Sequence, residues 1–204
     1  MARRSYEQYC PIAAALDVLG DRWTLLILRE LTMGERRFTD LKKALPGIAP
    51  NLLAERLREL QAEGLVEQRE LPPPAARSVY AVTDAGREVI PVLRALARFG
   101  ARRLPPPTDD TVVAPHMGVY AMLAPYHVPE PPGERFHARL DVDGRTFDVV
   151  TDGPNLSLRP RPDERPDLEL HLGARDLVAA RQGARLRLPR TAAARRFAQL
   201  FQLA

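Results

Sequence analysis

The sequence predicts an α+β protein in two parts, residues 1–104 and 105–204. In the first part, apolar residues recur mainly at the helical spacing of three and four, and two short alternating stretches interrupt the helical pattern. In the second part, alternating segments adjoin helical ones, which is typical of an antiparallel sheet covered by helices. The stretch LPPPTDD at 104–110 has the composition of a linker between the two parts.

The first two helices are marked by their ends. The first begins at Pro11, a residue type favoured at the first helical position, and ends at Gly20. The second follows Asp21, which we expect to cap its N-terminus, and ends at Gly34.

A third and a fourth helix follow across a tight turn. The third covers about Thr39–Leu45, and Pro46-Gly47 then forces a turn. The fourth runs from Pro50 to about Ala62. Its leucines recur at helical spacing and predict a buried face, formed by Leu53, Leu57 and Leu60.

After the fourth helix, apolar residues recur at every second position, which is the spacing of a strand. LVEQREL at 65–71 and RSVYAVT at 77–83 read as strands on either side of a proline-rich tip. Thr83 is a good N-cap for a long helix that runs to about Leu104, with a kink expected at Pro91. The apolar face of this helix is wide enough to pack against two surfaces, one within the domain and one on a second subunit.

The second part predicts a sheet. A short helix around 112–123, begun or broken at Pro115, precedes alternating segments centred on residues 136–142, 147–151, 156–158 and 168–172. Asp143-Gly144 is a strong signal for a hairpin between the first two of these segments. Helices at about Ala174–Gln182 and Thr191–Leu203 accompany the last strand.

Composition limits the classes of protein. Residues 1–104 contain 17 lysines and arginines against 13 acidic residues, whereas residues 105–204 contain 13 of each, so the net charge of +4 lies in the first part. This surplus permits binding to a polyanion.

A single cysteine allows no intrachain disulfide, and no secretion signal is evident, so we expect a cytoplasmic protein. The longest uncharged run, 111–129, contains three prolines, which argues against a membrane span.

The residues of common catalytic sites are missing. The four histidines are scattered without the spacing of metal ligands, and none of the three serines sits in a nucleophile elbow. No glycine-rich phosphate loop is present. We therefore expect neither a metal, nor a cofactor, nor an enzyme.

The order of helices and hairpin in the first part is that of a winged helix-turn-helix, with 50–62 as the recognition helix. Asn51 suits adenine, Arg58 suits guanine or phosphate, and Glu55 either accepts from cytosine or holds Arg58. The alternative is an ordinary amphipathic helix with a solvated outer face. The predicted DNA-contacting residues are Arg36, Arg37, Thr39, Lys42, Lys43, Pro50, Asn51, Ala54, Glu55, Arg58 and Arg77.

The motifs CPIAAALDVLGDRWTLLILREL, RFTDL, LPGI, ERLRELQAEGLV and VTDAGR occur in this order between Cys10 and Gly100. In these motifs the chain resembles the HxlR family of bacterial transcriptional regulators. The resemblance implies a homodimer, paired through its first and last helices, that binds a pseudo-palindromic operator in double-stranded DNA. It does not distinguish a repressor from an activator. Ala49 departs from the family pattern, in which a Ser or Thr cap is usual.

The second part resembles sterol-carrier-protein-like domains in PDLELHLGARDLVAARQG and in the terminal ARRFAQLF helix. This resemblance implies an apolar cavity for a lipid-like molecule, here a small effector that would modulate DNA affinity. The alternative is an ordinary packed core. The predicted ligand-binding residues are Met117, Tyr120, Ala121, Phe136, Leu140, Phe147, Val149, Leu170 and Phe197.

Cys10 is the candidate for reactive chemistry, because a sulfur at a helix N-terminus is favoured as thiolate. The HxlR resemblance implies thiol sensors with a cysteine at this position, and the alternative is a small buried side chain near the dimer interface. Two other functions therefore remain open. One is a redox-switched regulator that uses Cys10, and the other is a hydrophobic-ligand carrier whose winged helix binds proteins.

Overall fold

The computed structural model describes residues 5–71, 78–101, 103–105, 108, 111, 113–124, 126, 134–153, 155–158 and 163–203. The chain divides into two compact units, Met1–Leu93 and Arg94–Ala204, and each has its own set of buried apolar side chains. Within the described residues, the helices lack the combination of length and apolar character that a membrane crossing requires.

The first unit begins with four helices, continues with a hairpin and ends in two further helices. These elements are α1 (Pro11–Leu19), α2 (Thr24–Thr32), α3 (Phe38–Ala44), α4 (Pro50–Ala62), β1 (Val66–Glu70), β2 (Ser78–Val82), α5 (Asp84–Arg87) and α6 (Val89–Ala101). The division between the units falls inside α6. Pro11 and Pro50 each open a helix, where a missing N–H removes no intrahelical bond.

The predicted cap of the second helix is wrong. The N-cap of α2 is Trp23, which has the left-handed φ of +80°, an uncommon conformation for a bulky residue. The carbonyl of Asp21 accepts a hydrogen bond from the Thr24 N–H at 3.2 Å, while its carboxylate pairs with Arg56. Asp21 is thus engaged by a residue 35 positions away, which a local capping rule does not consider.

Thr83 is confirmed as an N-cap, since its hydroxyl oxygen accepts from the Gly86 N–H at 3.0 Å. The long helix predicted to follow it is, however, two helices, α5 and α6, with a break at Glu88. The break lies three residues before Pro91. Proline has no N–H, and its ring clashes with the carbonyl four residues back, here that of Arg87, so the helix is interrupted upstream of the proline.

The second unit consists of helices and a four-stranded sheet. Its elements are α7 (Pro115–Leu123), β3 (Phe136–Val142), β4 (Arg145–Asp152), β5 (Asn155–Ser157), β6 (Leu168–Leu172), α8 (Ala174–Arg181) and α9 (Ala192–Phe201). The strand order is β5-β4-β3-β6. Asp143 and Gly144 both have positive φ, as a two-residue hairpin turn of type I′ requires, which confirms the predicted β3–β4 hairpin.

The α+β class is confirmed, but the sheet is mixed. β3, β4 and β5 are antiparallel as expected, whereas β6 pairs parallel to β3, with Leu140 opposite Leu170. β6 lies at the edge of β3 that β4 leaves free, and it runs in the same direction as β3. Strand periodicity is the same for both directions, so the alternation in sequence did not distinguish them.

The two faces of the sheet differ in polarity. One face carries the buried side chains of Phe136, Leu140 and Phe147, and the guanidinium of Arg196 from α9 lies 5.1 Å from the Phe136 ring. The other face is polar. There, His137 is buried with Nε2 at 2.7 Å from Asp148, whose same oxygen accepts from Arg139 Nε at 2.9 Å.

Candidate nucleic-acid interface

Helices α3 and α4 are joined by a tight turn that the core holds in place. Gly47 in this turn has φ +92°, a conformation that favours glycine. A Cβ atom at this position would lie 3.7 Å from Cη2 of Trp23, so the indole ring packs against the turn. Leu41, Leu45 and Ile48 are buried on the inner side of the two helices. The arrangement is a helix-turn-helix.

The outer face of α4 is polar and exposed. Leu53, Leu57 and Leu60 are buried on the inner face, as predicted. Asn51, Glu55, Arg58 and Ala62 are exposed on the opposite side. Pro50 and Asn51 lie in the first turn of α4, the part of a recognition helix that contacts base edges. The side chains on this face carry amide, carboxylate and guanidinium groups, which match hydrogen-bonding groups in the major groove.

Helix α3 presents cationic groups beside this face. Arg37 and Lys43 are exposed, Lys42 is half-buried, and Thr39 is exposed. Arg37 is the N-cap residue of α3, and its N–H donates to the carboxylate of Asp40 at 3.3 Å. The first helix of a helix-turn-helix crosses the DNA backbone, so these are suitable positions for phosphate contacts.

Comparison with known proteins assigns the first half of the chain to a family. The profile of the HxlR-like helix-turn-helix family matches residues 18–107. The uncharacterized HTH-type transcriptional regulator sll1512 of Synechocystis sp. is 40% identical over 92 residues, which are 45% of this chain and 68% of that protein. YvaP of Bacillus subtilis (strain 168), also an uncharacterized HTH-type transcriptional regulator, is 34% identical over 100 residues, which are 48% of this chain and 93% of YvaP. The chain belongs to the HxlR family.

This HxlR-family protein is a transcriptional regulator with a DNA-binding helix-turn-helix domain, a class of proteins that are not enzymes. The match confirms the resemblance seen in the motifs between Cys10 and Gly100. The solved structure of the reduced form of the transcriptional regulator YodB from B. subtilis is similar to this chain. The two are 30% identical over a match that covers 50% of this chain and 100% of that chain, with a TM-score of 0.42. The family profile ends at residue 107, so the sterol-carrier-like resemblance of the second half stays a prediction.

Two of the predicted DNA contacts of the HxlR-family domain, Arg36 and Arg77, are not seen as exposed side chains in the described structure. Arg36 is less available than the sequence predicts, because its Nε and Nη2 atoms are buried and its backbone forms a bridge with Tyr80, with N–O distances of 3.0 and 2.7 Å. Burial lowers the pKa of the Arg36 guanidinium, and the nearby carboxylates of Glu30 and Asp40 partly offset this. We therefore assign Arg36 to the attachment of the hairpin. Arg77 lies outside the described residues.

Arg56 helps to position α4, a role that its place in the sequence does not indicate. Arg56 points away from the predicted DNA-facing side, and its Nη1 lies 3.3 Å from Oδ2 of Asp21 and also contacts Glu59. A local pattern assigns Arg56 only to a pair within the helix, at the i,i+3 spacing. The link to Asp21 depends on how α4 packs against the start of α2, and no sequence signal reveals this packing.

The predicted ligand-binding residues fall on one face of the sheet and on two helices, α7 and α9. Phe136, Leu140, Phe147, Val149 and Leu170 are buried, and the strand register places them on the same face. On α7, Tyr120 is buried and Met117 and Ala121 are half-buried. Phe197 of α9 is fully buried, with its ring centroid 5.0 Å from that of Phe201. The structure therefore groups the sheet residues as predicted, and their role in binding a ligand stays a prediction.

The remaining candidates lie at helix N-termini. Cys10 is the N-cap residue of α1, half-buried and free. Ala49 is the N-cap residue of α4, and it has no side chain that can accept a capping bond. Within the described residues, no group of three or more His, Cys, Asp and Glu side chains is arranged to hold a metal ion.

Proposed function

We propose that this HxlR-family regulator binds duplex DNA as a homodimer, with α4 of each subunit in a major groove. The observation that supports this most directly is the exposed polar face of α4, opposite three buried leucines and directly after a tight turn. The second helix of a helix-turn-helix lies in the major groove and contacts base edges through its exposed side chains.

Individual contacts follow from side-chain chemistry. Asn51 pairs with adenine through its amide, and Arg58 donates two hydrogen bonds to guanine. Glu55 accepts from cytosine or orients Arg58. Lys42 and Lys43 contact phosphates, as do Arg37, Thr39 and Arg77, and these contacts position the protein without reading sequence.

The proposed dimer uses apolar surface that the single chain leaves exposed. On α1, Ile12 is 71% exposed, and on α6, Leu96 and Phe99 are 45% and 60% exposed. Large apolar side chains that are exposed on the surface of a helix are typical of protein interfaces. A second copy of the chain covers both helices in a twofold-symmetric pair, and the recognition helices then face successive turns of the duplex.

The proposed effector is a small apolar molecule that binds in the second unit. The C-terminal half of α6 is well placed to sense it, because Arg98 Nε donates to the carbonyl of Ala124 at 3.2 Å. The guanidinium of Arg94 also lies 4.9 Å from the ring of Tyr126, which in turn packs on Phe201. A ligand that displaces Tyr126 would therefore act on α6, the helix proposed to form the dimer.

Fluorescence anisotropy with duplex DNA tests the DNA-binding mode. Arg58→Ala should weaken the free energy of binding by about 1–3 kcal/mol at the base pair that Arg58 contacts. The preference for guanine at that position should then relax. Lys42→Ala should weaken binding to all duplexes alike and make the dependence on salt shallower. If both variants bind all duplexes as the unaltered protein does, α4 is not the reading helix.

A further inference from the structure

The charge of the second unit is strongly segregated along the chain. Residues 177–204 contain six arginines and no acidic residue, whereas residues 105–176 contain seven arginines and 13 acidic residues. The even balance of residues 105–204 as a whole thus conceals a basic C-terminal segment. No part of the DNA-binding mode proposed above uses this segment.

The arginines of this segment point to solvent because leucines hold the chain in place. Between α8 and α9, Arg185 and Arg187 are exposed, Leu186 between them is buried, and Leu188 is half-buried. Arg190, just before α9, is exposed too. The alternation fixes the leucines against the unit and directs the guanidinium groups outward.

These arginines lack carboxylate neighbours. In the part of the chain that the structure describes, Arg185, Arg187, Arg190 and Arg195 form no ion pair. By contrast, Arg135 binds both carboxylate oxygens of Glu164, at 2.8 and 2.7 Å. Several like charges held together without counter-charges attract polyanions.

We infer that the segment Arg185–Arg195 is a second DNA-contacting surface, which binds phosphates of the same duplex outside the site held by α3 and α4. Guanidinium groups bind phosphate oxygens through paired hydrogen bonds, which favours arginine for this purpose. The first unit holds DNA on the same chain, so the duplex is present at a high effective concentration.

An anionic membrane surface is the less suitable partner. Peripheral membrane binding needs exposed apolar side chains beside the basic ones. The large apolar side chains that are exposed in the described chain all lie between Tyr6 and Leu104, and none lies in this segment. The large apolar residues of α9, which are Phe197, Leu200 and Phe201, are buried.

The test compares charge-matched variants of the full chain. In one variant, Arg185, Arg187 and Arg190 are all replaced by glutamine, and in a second they are replaced by lysine. A control removes the same charge from the acidic part of the unit through Arg139→Gln, Arg145→Gln and Arg165→Gln. Binding is measured against salt with a labelled duplex of about 40 base pairs, long enough to extend beyond two half-sites.

The glutamine triple variant should bind more weakly than the unaltered protein. Its log–log salt slope should be shallower by up to about 5, because three arginines are lost from each of the two subunits. The lysine variant and the control should keep most of the slope. An unchanged slope in the glutamine variant, or an equal loss in the control, overturns the inference, as does a selective loss of binding to phosphatidylglycerol vesicles.

The inference rests on DNA binding by the first unit. Failure of that proposed function and failure of the second DNA-contacting surface give different results. If the unaltered protein binds no duplex at any salt concentration, the proposed function fails. If it binds and Arg58→Ala weakens it, while the glutamine triple variant does not, only the second surface fails. Thermal melting should be unchanged in the glutamine and lysine triple variants, because Arg185, Arg187 and Arg190 are exposed. Melting of the control shows whether loss of the ion pair between Arg139 and Asp148 destabilises it.

Discussion

The carboxylate of Asp21 lies 3.3 Å from the guanidinium of Arg56 and joins the turn between α1 and α2 to the middle of α4. In the same turn, the ring of Trp23 packs against Gly47, between α3 and α4. One short segment therefore contacts both parts of the helix-turn-helix. A shift of α1, the helix proposed to form part of the dimer, would reach the recognition helix through these two contacts.

Removing Arg56 should destabilise the first unit more than removing Asp21 does. The Arg56 side chain is 14% exposed and also pairs with Glu59, whereas Asp21 is 62% exposed. We expect Asp21→Ala to cost at most about 1 kcal/mol, as is usual for exposed pairs. Arg56→Ala should cost more, since it also loses packing of the aliphatic stem. Urea unfolding of both variants and of the double variant measures the coupling. Additive losses would show that the pair is not energetically linked.

A cap introduced at position 49 should stabilise α4. Ala49 has the extended backbone of an N-cap residue, with φ −74° and ψ 143°, and offers no acceptor. Ala49→Ser should therefore raise the free energy of unfolding by about 1 kcal/mol. Ala62→Ser at the other end of the same helix is the matched control and should bring no gain. A destabilised Ala49→Ser variant would indicate that the hydroxyl does not reach the first-turn N–H groups.

A charge on the exposed side of α6 should break the dimer. Phe99→Glu places a carboxylate in an apolar patch, and light scattering at micromolar concentration should then report a monomer. Thr146→Glu, at an exposed sheet position of the second unit, should leave the dimer intact. In the dimer, the recognition helices should lie roughly 34–36 Å apart. An unaltered protein that is already monomeric contradicts this geometry and the pseudo-palindromic site.

An apolar effector should raise the melting temperature by mass action. We predict a cavity of a few hundred cubic ångströms between the sheet and α7, the usual size for a small-molecule site. Ala121→Trp should fill it and abolish the rise without unfolding the unit, while Thr146→Trp on the polar side should keep the rise. A solid core at this place would leave residues 105–204 as a dimerisation or partner-binding module.

Mild peroxide should leave DNA affinity unchanged. The sequence has a single cysteine, so oxidation of Cys10 cannot close an intrachain disulfide, and the proposed effector acts in the other unit. Anisotropy before and after treatment measures the effect. A loss of affinity that Cys10→Ser prevents would establish the redox-switched alternative.

Much of the first unit could be predicted because its signals are local. Prolines at the first helical position, glycines after the last turn and leucines three and four residues apart determine where α1 and α4 lie. The strands of the hairpin and the Thr83 cap are also local, and in the second unit so is the type I′ turn at Asp143-Gly144. The family match in this half follows from the same residues.

The missed features involve residues far apart in the chain. The parallel pairing of β6 with β3 depends on the path of the connection between residues 157 and 168, and alternation is the same in either direction. Arg36 looks like a surface cation in sequence, and only the folded structure shows that its guanidinium is partly buried.

Backbone preferences and the periodic burial of apolar side chains are properties of short stretches of residues. The residues alone therefore indicate the helix-turn-helix, the hairpin, the polar outer face of α4 and the family. Tertiary structure alone decided which charges are free. Asp21 and Arg56 are paired, Arg36 is partly buried, and Arg185 and Arg187 remain exposed. The physical reason is that the strength of a charge depends on its neighbours and its hydration, and folding sets both.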